Sequence, residues 1–104
     1  MDRTDAVFGA LSDPTRRALL ETIASRPEAT ATELAAELPI TRQAVLKHLS
    51  ALADAGLVDR ERSGREVHYR VTPAPLSDAV SWMADVGGQW DERLARLRSA
   101  VAPR

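Results

Sequence analysis

Side chains that donate hydrogen bonds are concentrated in one stretch of the sequence, TRQAVLKHLSALADAGLV, from Thr41 to Val58. Its apolar residues recur at helical spacing, and Gly56 is placed to end the helix. The first two turns carry more polar donors than a solvated helix face requires. Glutamine can pair with an adenine edge, and arginine or lysine can bind guanine or a phosphate. Base and phosphate recognition is therefore the first chemistry to consider.

The candidate contacts lie on the side of this helix opposite its valine and leucines. Arg42, Gln43 and Lys47 occupy that side near the helix N-terminus, and we call these three residues the donor face. Thr41 is both an N-cap candidate and a possible phosphate ligand. Ala44 is small enough to meet a thymine methyl group.

Three shorter helices are predicted before this one, the first from apolar spacing and the other two from cap signals and prolines. A first helix is expected over about residues 3 to 11, from the spacing of Ala6, Val7, Ala10 and Leu11. Asp13-Pro14 predicts the start of a second helix that ends near Ser25. Thr30 and Glu33 have capping-box spacing and begin a third helix, which Pro39 ends. The third helix and the helix from Thr41 form a helix-turn-helix.

A period of two replaces the helical period after Gly56. LVDRERSGREVHYRV, residues 57 to 71, predicts an antiparallel hairpin with Ser63-Gly64 at its tip. Arg65 is the preferred candidate there for a contact to a phosphate or the minor groove, with Arg62 and Gly64 beside it. For the other arginines the choice stays open: residues 60, 62 and 70 could instead pair with acidic residues across the strands.

The sequence is helical again from Leu76, with a seam of apolar positions in alternating steps of four and three. The seam consists of Leu76, Val80, Met83, Gly87, Trp90, Leu94, Leu97 and Val101. Together with Trp82, it could cover the core of its own chain or a second copy. Gly87-Gly88 would either let two backbones approach closely or kink the helix.

Three stretches carry a resemblance to a known family: DPTRRALLETI, TELAAELPITRQAVLKHLSALADAGLV and RERSGREVHYRVTP. They resemble the arsenic-repressor (ArsR/SmtB) family of bacterial transcription regulators, over roughly residues 5 to 100. The resemblance implies a winged helix-turn-helix and a repressor that binds double-stranded DNA. It also implies that His48 contacts base or backbone, although its position at the edge of the helix equally allows a hydrogen bond within the fold.

The resemblance further implies a homodimer formed by the first and last helices, which we call helices 1 and 5. An inducing signal, a small molecule or a protein, is also implied without being identified. The predicted dimer contacts are Val7, Leu11, Met83, Trp90, Leu94 and Leu97.

Charge and residue content limit which classes of function the sequence is compatible with. The net charge is -1, but residues 42 to 70 hold six basic and four acidic side chains, an excess of two positive charges. This local excess is compatible with a DNA surface duplicated in a dimer.

There is no cysteine, and the last helix has no histidine, so we expect no metal and no cofactor. Ser50 and His48 lie on different helix faces, so no catalytic set is predicted. The N-terminus lacks a signal sequence, and we expect a cytoplasmic protein with no membrane contact.

The sequence thus predicts a mainly α fold with a small β-hairpin. The chain is expected to form one domain over residues 1 to 104, with its core at residues 12 to 73. Helices of about residues 3 to 11 and 76 to 101 are expected to form the dimer interface. The predicted function is a homodimeric repressor that binds a palindromic operator and is not an enzyme. The alternative is a winged-helix protein-interaction module without specific DNA contacts. The two differ in how steeply duplex affinity falls with salt.

Overall fold

The computed structural model describes residues 3 to 101, with side-chain surroundings through residue 100. The ends of the predicted domain and the side chain of Val101 lie outside these described parts. The elements are α1 (Arg3–Leu11), α2 (Pro14–Ser25), α3 (Ala31–Glu37), α4 (Arg42–Asp54), β1 (Val58–Ser63), β2 (Glu66–Val71) and α5 (Pro73–Val101). This is the predicted winged helix-turn-helix order.

The helix caps predicted from the sequence are present in the structure. Each cap depends on residues only a few positions apart, so local sequence is enough to predict it. The carboxylate of Asp13 accepts from the backbone N–H of Thr15 at 2.7 Å and Pro14 begins α2. Thr30 and Glu33 exchange both bonds of a capping box at the start of α3. Gly56 has φ of +77°, the left-handed conformation that ends α4. Local sequence therefore sets the boundaries of α2, α3 and α4.

The core is formed mainly by aliphatic side chains of α1 to α4 and the start of the hairpin. Leu19, Leu34, Leu52 and Leu57 are almost fully buried within it. Val7 is also fully buried, so the core includes α1 and begins before residue 12, where it was predicted to begin. The predicted contact of Val7 with a partner chain is not supported, because its side chain has no exposed surface.

The hairpin pairs β1 with β2 from Val58–Val71 to Ser63–Glu66. Gly64 and Arg65 therefore form the two-residue turn, one position later than the predicted tip. Gly64 has φ of +62°, a conformation that glycine adopts without steric cost.

Helix α5 has 29 residues and starts three residues earlier than predicted. Pro73 and Pro75 lie in its first turn, where a missing backbone N–H breaks no intrahelical bond. Ala79 is buried against the core, but the helix then leaves it, and the molecule is 70 Å long and 26 Å wide. No helix in the described part of the chain is long and apolar enough to cross a membrane.

Candidate nucleic-acid interface

The donor face of α4 is exposed as predicted. Val45 and Leu49 are buried on one side of the helix, and Arg42, Gln43 and Lys47 are exposed on the other. The burial of the apolar side fixes the helix against the core, so the three polar side chains lie on its exposed side, with Arg42 turned toward α3.

The N-terminal end of α4 is held by two hydrogen bonds. The hydroxyl of Thr41 accepts from the backbone N–H of Ala44 at 3.1 Å, which confirms its role as N-cap. Arg42 donates from Nε to the hydroxyl of Thr32 on α3 at 3.2 Å. This second bond joins the two helices of the helix-turn-helix through a donor-face residue. Thr41 is exposed and Ala44 is half-buried, so both retain surface near the donor face.

His48 differs from the donor face because it is half-buried. Its Nδ1 atom is buried and has no hydrogen-bond partner. The ring lies near Asp13. Burial raises the pKa of the Asp13 carboxyl, but hydrogen bonds from the backbone N–H groups of Thr15 and Arg16 and the charges of His48 and Arg16 together lower it by more. The pKa of Asp13 therefore lies below its ordinary value. Because Nδ1 is buried, it is not accessible for a hydrogen bond to DNA.

The wing, the hairpin of β1 and β2, carries four arginines: Arg60 on β1 is exposed, and the other three fall into two groups. Arg62 and Arg65 are exposed near the turn, and Nε of Arg62 lies 3.5 Å from the carbonyl oxygen of Gly64. Arg70 is paired with Glu28 at 3.3 Å and also with Glu61. The open choice for Arg70 is thus settled in favour of ion pairs.

The base of the wing is attached to the loop between α2 and α3. Tyr69 donates its backbone N–H to the carbonyl of Ala29 at 3.0 Å, and its own carbonyl accepts from Glu28 at 3.2 Å. His68 donates from Nδ1 to the carbonyl oxygen of Glu28 at 2.6 Å and lies 3.2 Å from the Glu66 carboxylate. Glu28 has φ of +71°, an uncommon value outside glycine. These contacts fix the orientation of the wing.

The hydrogen bond to the Glu28 carbonyl raises the pKa of His68, and the carboxylates of Glu66, Glu28 and Glu33 raise it further against the opposing effect of burial. The positively charged ring can donate from both nitrogens at once.

Sequence inspection missed Glu28 and its contacts to the wing. No local pattern marks them, because Glu28 and His68 are forty residues apart.

A cleft of about 550 Å³ separates the helix-turn-helix from the wing. Arg42 and Arg65 both line it, so the structure brings together one guanidinium from the donor face and one from the turn of the wing. Its apolar walls include Ala31, Leu46 and Val67. Gln43 and Lys47 lie outside this cleft, on the exposed surface of α4.

Comparisons with known proteins agree with this arrangement. Residues 11–61 match the family described as a helix-turn-helix domain. The chain is 49% identical over 73 residues to the uncharacterized HTH-type transcriptional regulator YuzN of Bacillus subtilis, over 64% of this chain and 76% of that protein. It is 31% identical to the transcriptional repressor SdpR of the same organism, over 85% of this chain and 97% of that protein.

A solved structure extends the similarity to the whole fold. The ArsR-like transcriptional regulator from Rhodococcus sp. RHA1 is 38% identical, with a TM-score of 0.84 over 98% of this chain and 95% of that one. The chain belongs to the ArsR family of winged helix-turn-helix transcriptional regulators. In this ArsR-family protein, α3 and α4 are the helix-turn-helix, and β1 and β2 are the wing.

Metal coordination was not expected for this ArsR-family protein. Among the described residues no group of three or more His, Asp or Glu side chains is close enough to hold a metal ion.

Proposed function

We propose that this ArsR-family regulator is a homodimeric repressor that reads a palindromic operator through α4 and its wing. The observation that carries this proposal is the cleft that both Arg42 and Arg65 line, which places one donor-face guanidinium beside the turn of the wing; Glu33 and Glu66 line the same cleft. In helix-turn-helix proteins the second helix enters the major groove with its N-terminal residues toward the bases. The capped, exposed N-terminus of α4 suits this placement.

The contacts are divided between base recognition and backbone positioning. Gln43 is proposed to pair with an adenine edge, and Lys47 with guanine or a phosphate. Arg65 at the turn of the wing is proposed to meet a phosphate or the minor groove, and Arg42 a base or a phosphate near the cleft. The other proposed contact residues are Thr41, Ala44, His48, Arg62 and Gly64.

The homodimer is supported by the exposure of the last helix. Trp90 and Leu97 are 56% and 59% exposed, so the alternative that they form the core of their own chain is not supported in the described part. Exposed apolar surface on this scale marks a protein interface. Leu11 on α1 is half-buried and can contribute, whereas Val7 is left out of the proposed interface. The proposed α5 contacts are Met83, Trp90, Leu94 and Leu97.

Repression is proposed from the likeness to SdpR, which is named a transcriptional repressor. A dimer bound across a promoter would block polymerase without any catalytic step. We also propose that the inducing signal is not a metal ion, in line with a chain that contains no cysteine.

The deciding experiment is selection of bound fragments from random duplexes by the purified protein. A palindrome whose half-sites are centred about 34 Å apart, one helical turn, is the expected result for a dimer. Enrichment of single half-sites would contradict the dimeric operator. No enrichment, together with affinity that is independent of salt, would instead support a protein-interaction module.

A further inference from the structure

The cleft between the helix-turn-helix and the wing has the size of a small-molecule site. Its volume is about 550 Å³. Ligand pockets usually measure roughly 300 to 1,000 Å³. A water molecule takes up about 30 Å³ of the liquid, so a single inorganic anion would leave most of the cleft empty. A ligand that fills the cleft therefore has an organic body.

The walls of the cleft offer that body apolar surface on both sides. Leu46 of α4 lines the side of the helix-turn-helix, and Val67 of β2 lines the side of the wing. Both side chains are half-buried, so each keeps some surface that a ligand can cover. Ala31 at the start of α3 adds a third apolar side chain. Burial of this surface favours a ligand with a ring system or a short hydrocarbon chain.

The basic groups of the cleft favour an anionic ligand. Arg42 donates from Nε to the hydroxyl of Thr32 at 3.2 Å, which leaves the two terminal nitrogens of its guanidinium for a ligand. Arg65 takes part in none of the ion pairs formed within the described part of the chain. Both guanidiniums can therefore donate to a carboxylate, sulfonate or phosphate group.

The two carboxylates of the cleft are already engaged within the chain. Oε1 of Glu33 accepts from the hydroxyl of Thr30 at 3.0 Å and from the backbone N–H of the same residue at 3.2 Å. Oε2 of Glu66 lies 3.2 Å from Nε2 of His68. A cationic ligand would have to compete with these partners, whereas an anionic ligand meets donors that are free.

We propose that the cleft binds a small amphipathic anion, with its charged group on Arg42 and Arg65 and its apolar body on Leu46 and Val67. Arg42 belongs to the donor face and Arg65 to the turn of the wing, so the ligand covers one proposed DNA contact of each. Ligand and operator therefore exclude each other, and the ligand acts as an inducer. The inducer role rests on the proposed function, whereas the binding of the anion does not.

Two fluorescent dyes test the site. Anilinonaphthalene sulfonate carries an anionic group on an apolar body, and phenylnaphthylamine has the same rings without the sulfonate. Both become brighter when they leave water for an apolar surface, so a titration gives a dissociation constant for each dye. We expect the sulfonate dye to bind the folded protein. No binding of this dye would overturn the proposal.

Arg65→Gln tests the charged contact. The variant is expected to raise the dissociation constant of the sulfonate dye at least about fivefold. It should leave the dissociation constant of phenylnaphthylamine nearly unchanged, because that dye has no anionic group. Arg60→Gln is the matched control, since Arg60 is an exposed arginine of the same wing that does not line the cleft. Equal effects of the two variants on the sulfonate dye would overturn the anion site.

Val67→Phe tests the apolar wall. Phenylalanine suits a strand and takes up space in the cleft, so both dyes should bind more weakly. Val80→Phe makes the same substitution on exposed α5 and should weaken neither. Such dyes also bind exposed apolar surface in general, so an affinity unchanged by Val67→Phe would place them elsewhere and overturn the site. Thermal unfolding followed by circular dichroism checks that each variant is folded, and the exposed Arg65→Gln keeps the test decisive if Val67→Phe is not.

Competition with operator DNA tests the inducer role. At a dye concentration ten times its dissociation constant, the apparent dissociation constant of the operator should rise at least about elevenfold, because the bound form is withdrawn from DNA binding. An unchanged operator affinity would overturn the inducer role. If the protein selects no operator at all, the proposed function fails, and the dye titrations still decide whether the cleft binds an anion.

Discussion

The Nδ1 atom of His68 on the wing lies 2.6 Å from the carbonyl oxygen of Glu28, in the loop between α2 and α3. Nε2 of the same ring is 3.2 Å from the Glu66 carboxylate. One imidazole thus joins the wing to the body of the domain, and protonation strengthens both contacts. The orientation of the wing is thereby coupled to a titratable group, whose pKa the hydrogen bond to the Glu28 carbonyl raises above its ordinary value.

The stabilisation by His68 should depend on pH. Its pKa in the folded protein lies above the ordinary value of 6.5, so its contribution is complete below pH 6.5 and is lost as the pH rises through the folded-state pKa. We expect His68→Phe to lower the free energy of unfolding more below pH 6.5 than well above it. Chemical denaturation across this range measures the difference between the two proteins. A difference that is constant with pH would show that the ring acts only by packing.

The features of this structure that could be predicted from the sequence are those set by residues close together in the chain. Thr41 caps Ala44 three residues away, and Gly56 ends its helix by its own conformation, so both were predicted correctly. The anchoring of the wing by Glu28 was not predictable, because it depends on tertiary packing. The burial of Val7 was missed since helical spacing shows which face is apolar but not which surface covers it.

Gln43→Ala tests base recognition. If Gln43 pairs with an adenine edge, the substitution should cost roughly 1 to 3 kcal/mol on the cognate site and less on random DNA. Fluorescence anisotropy with both duplexes at one salt concentration measures this. Gln89→Ala, at the only other glutamine in the chain, is a matched control on exposed α5 and should change neither affinity. Equal losses on both duplexes would remove Gln43 from the residues that confer specificity.

Arg65→Ala tests the contact of the wing with the DNA backbone. The variant should weaken binding to all sequences alike and reduce the salt slope by about one unit. Arg70→Ala is the comparison within the same wing, because its guanidinium is already paired with Glu28 and Glu61. We expect Arg70→Ala to lower stability while the slope stays the same. A slope unchanged by Arg65→Ala would place the wing arginine away from the DNA.

Trp90→Ala distinguishes an interface residue from a core residue. The side chain is 56% exposed, so its removal should change the stability of the monomer little, whereas loss of a large apolar contact should shift the dimer toward monomer in analytical ultracentrifugation. Trp82→Ala is the control, because Trp82 packs edge-to-face on Phe8 of its own chain at 5.5 Å. That variant should lose stability more than dimer affinity. A Trp90→Ala protein that remains fully dimeric but unfolds more easily would assign Trp90 to the core of its own chain.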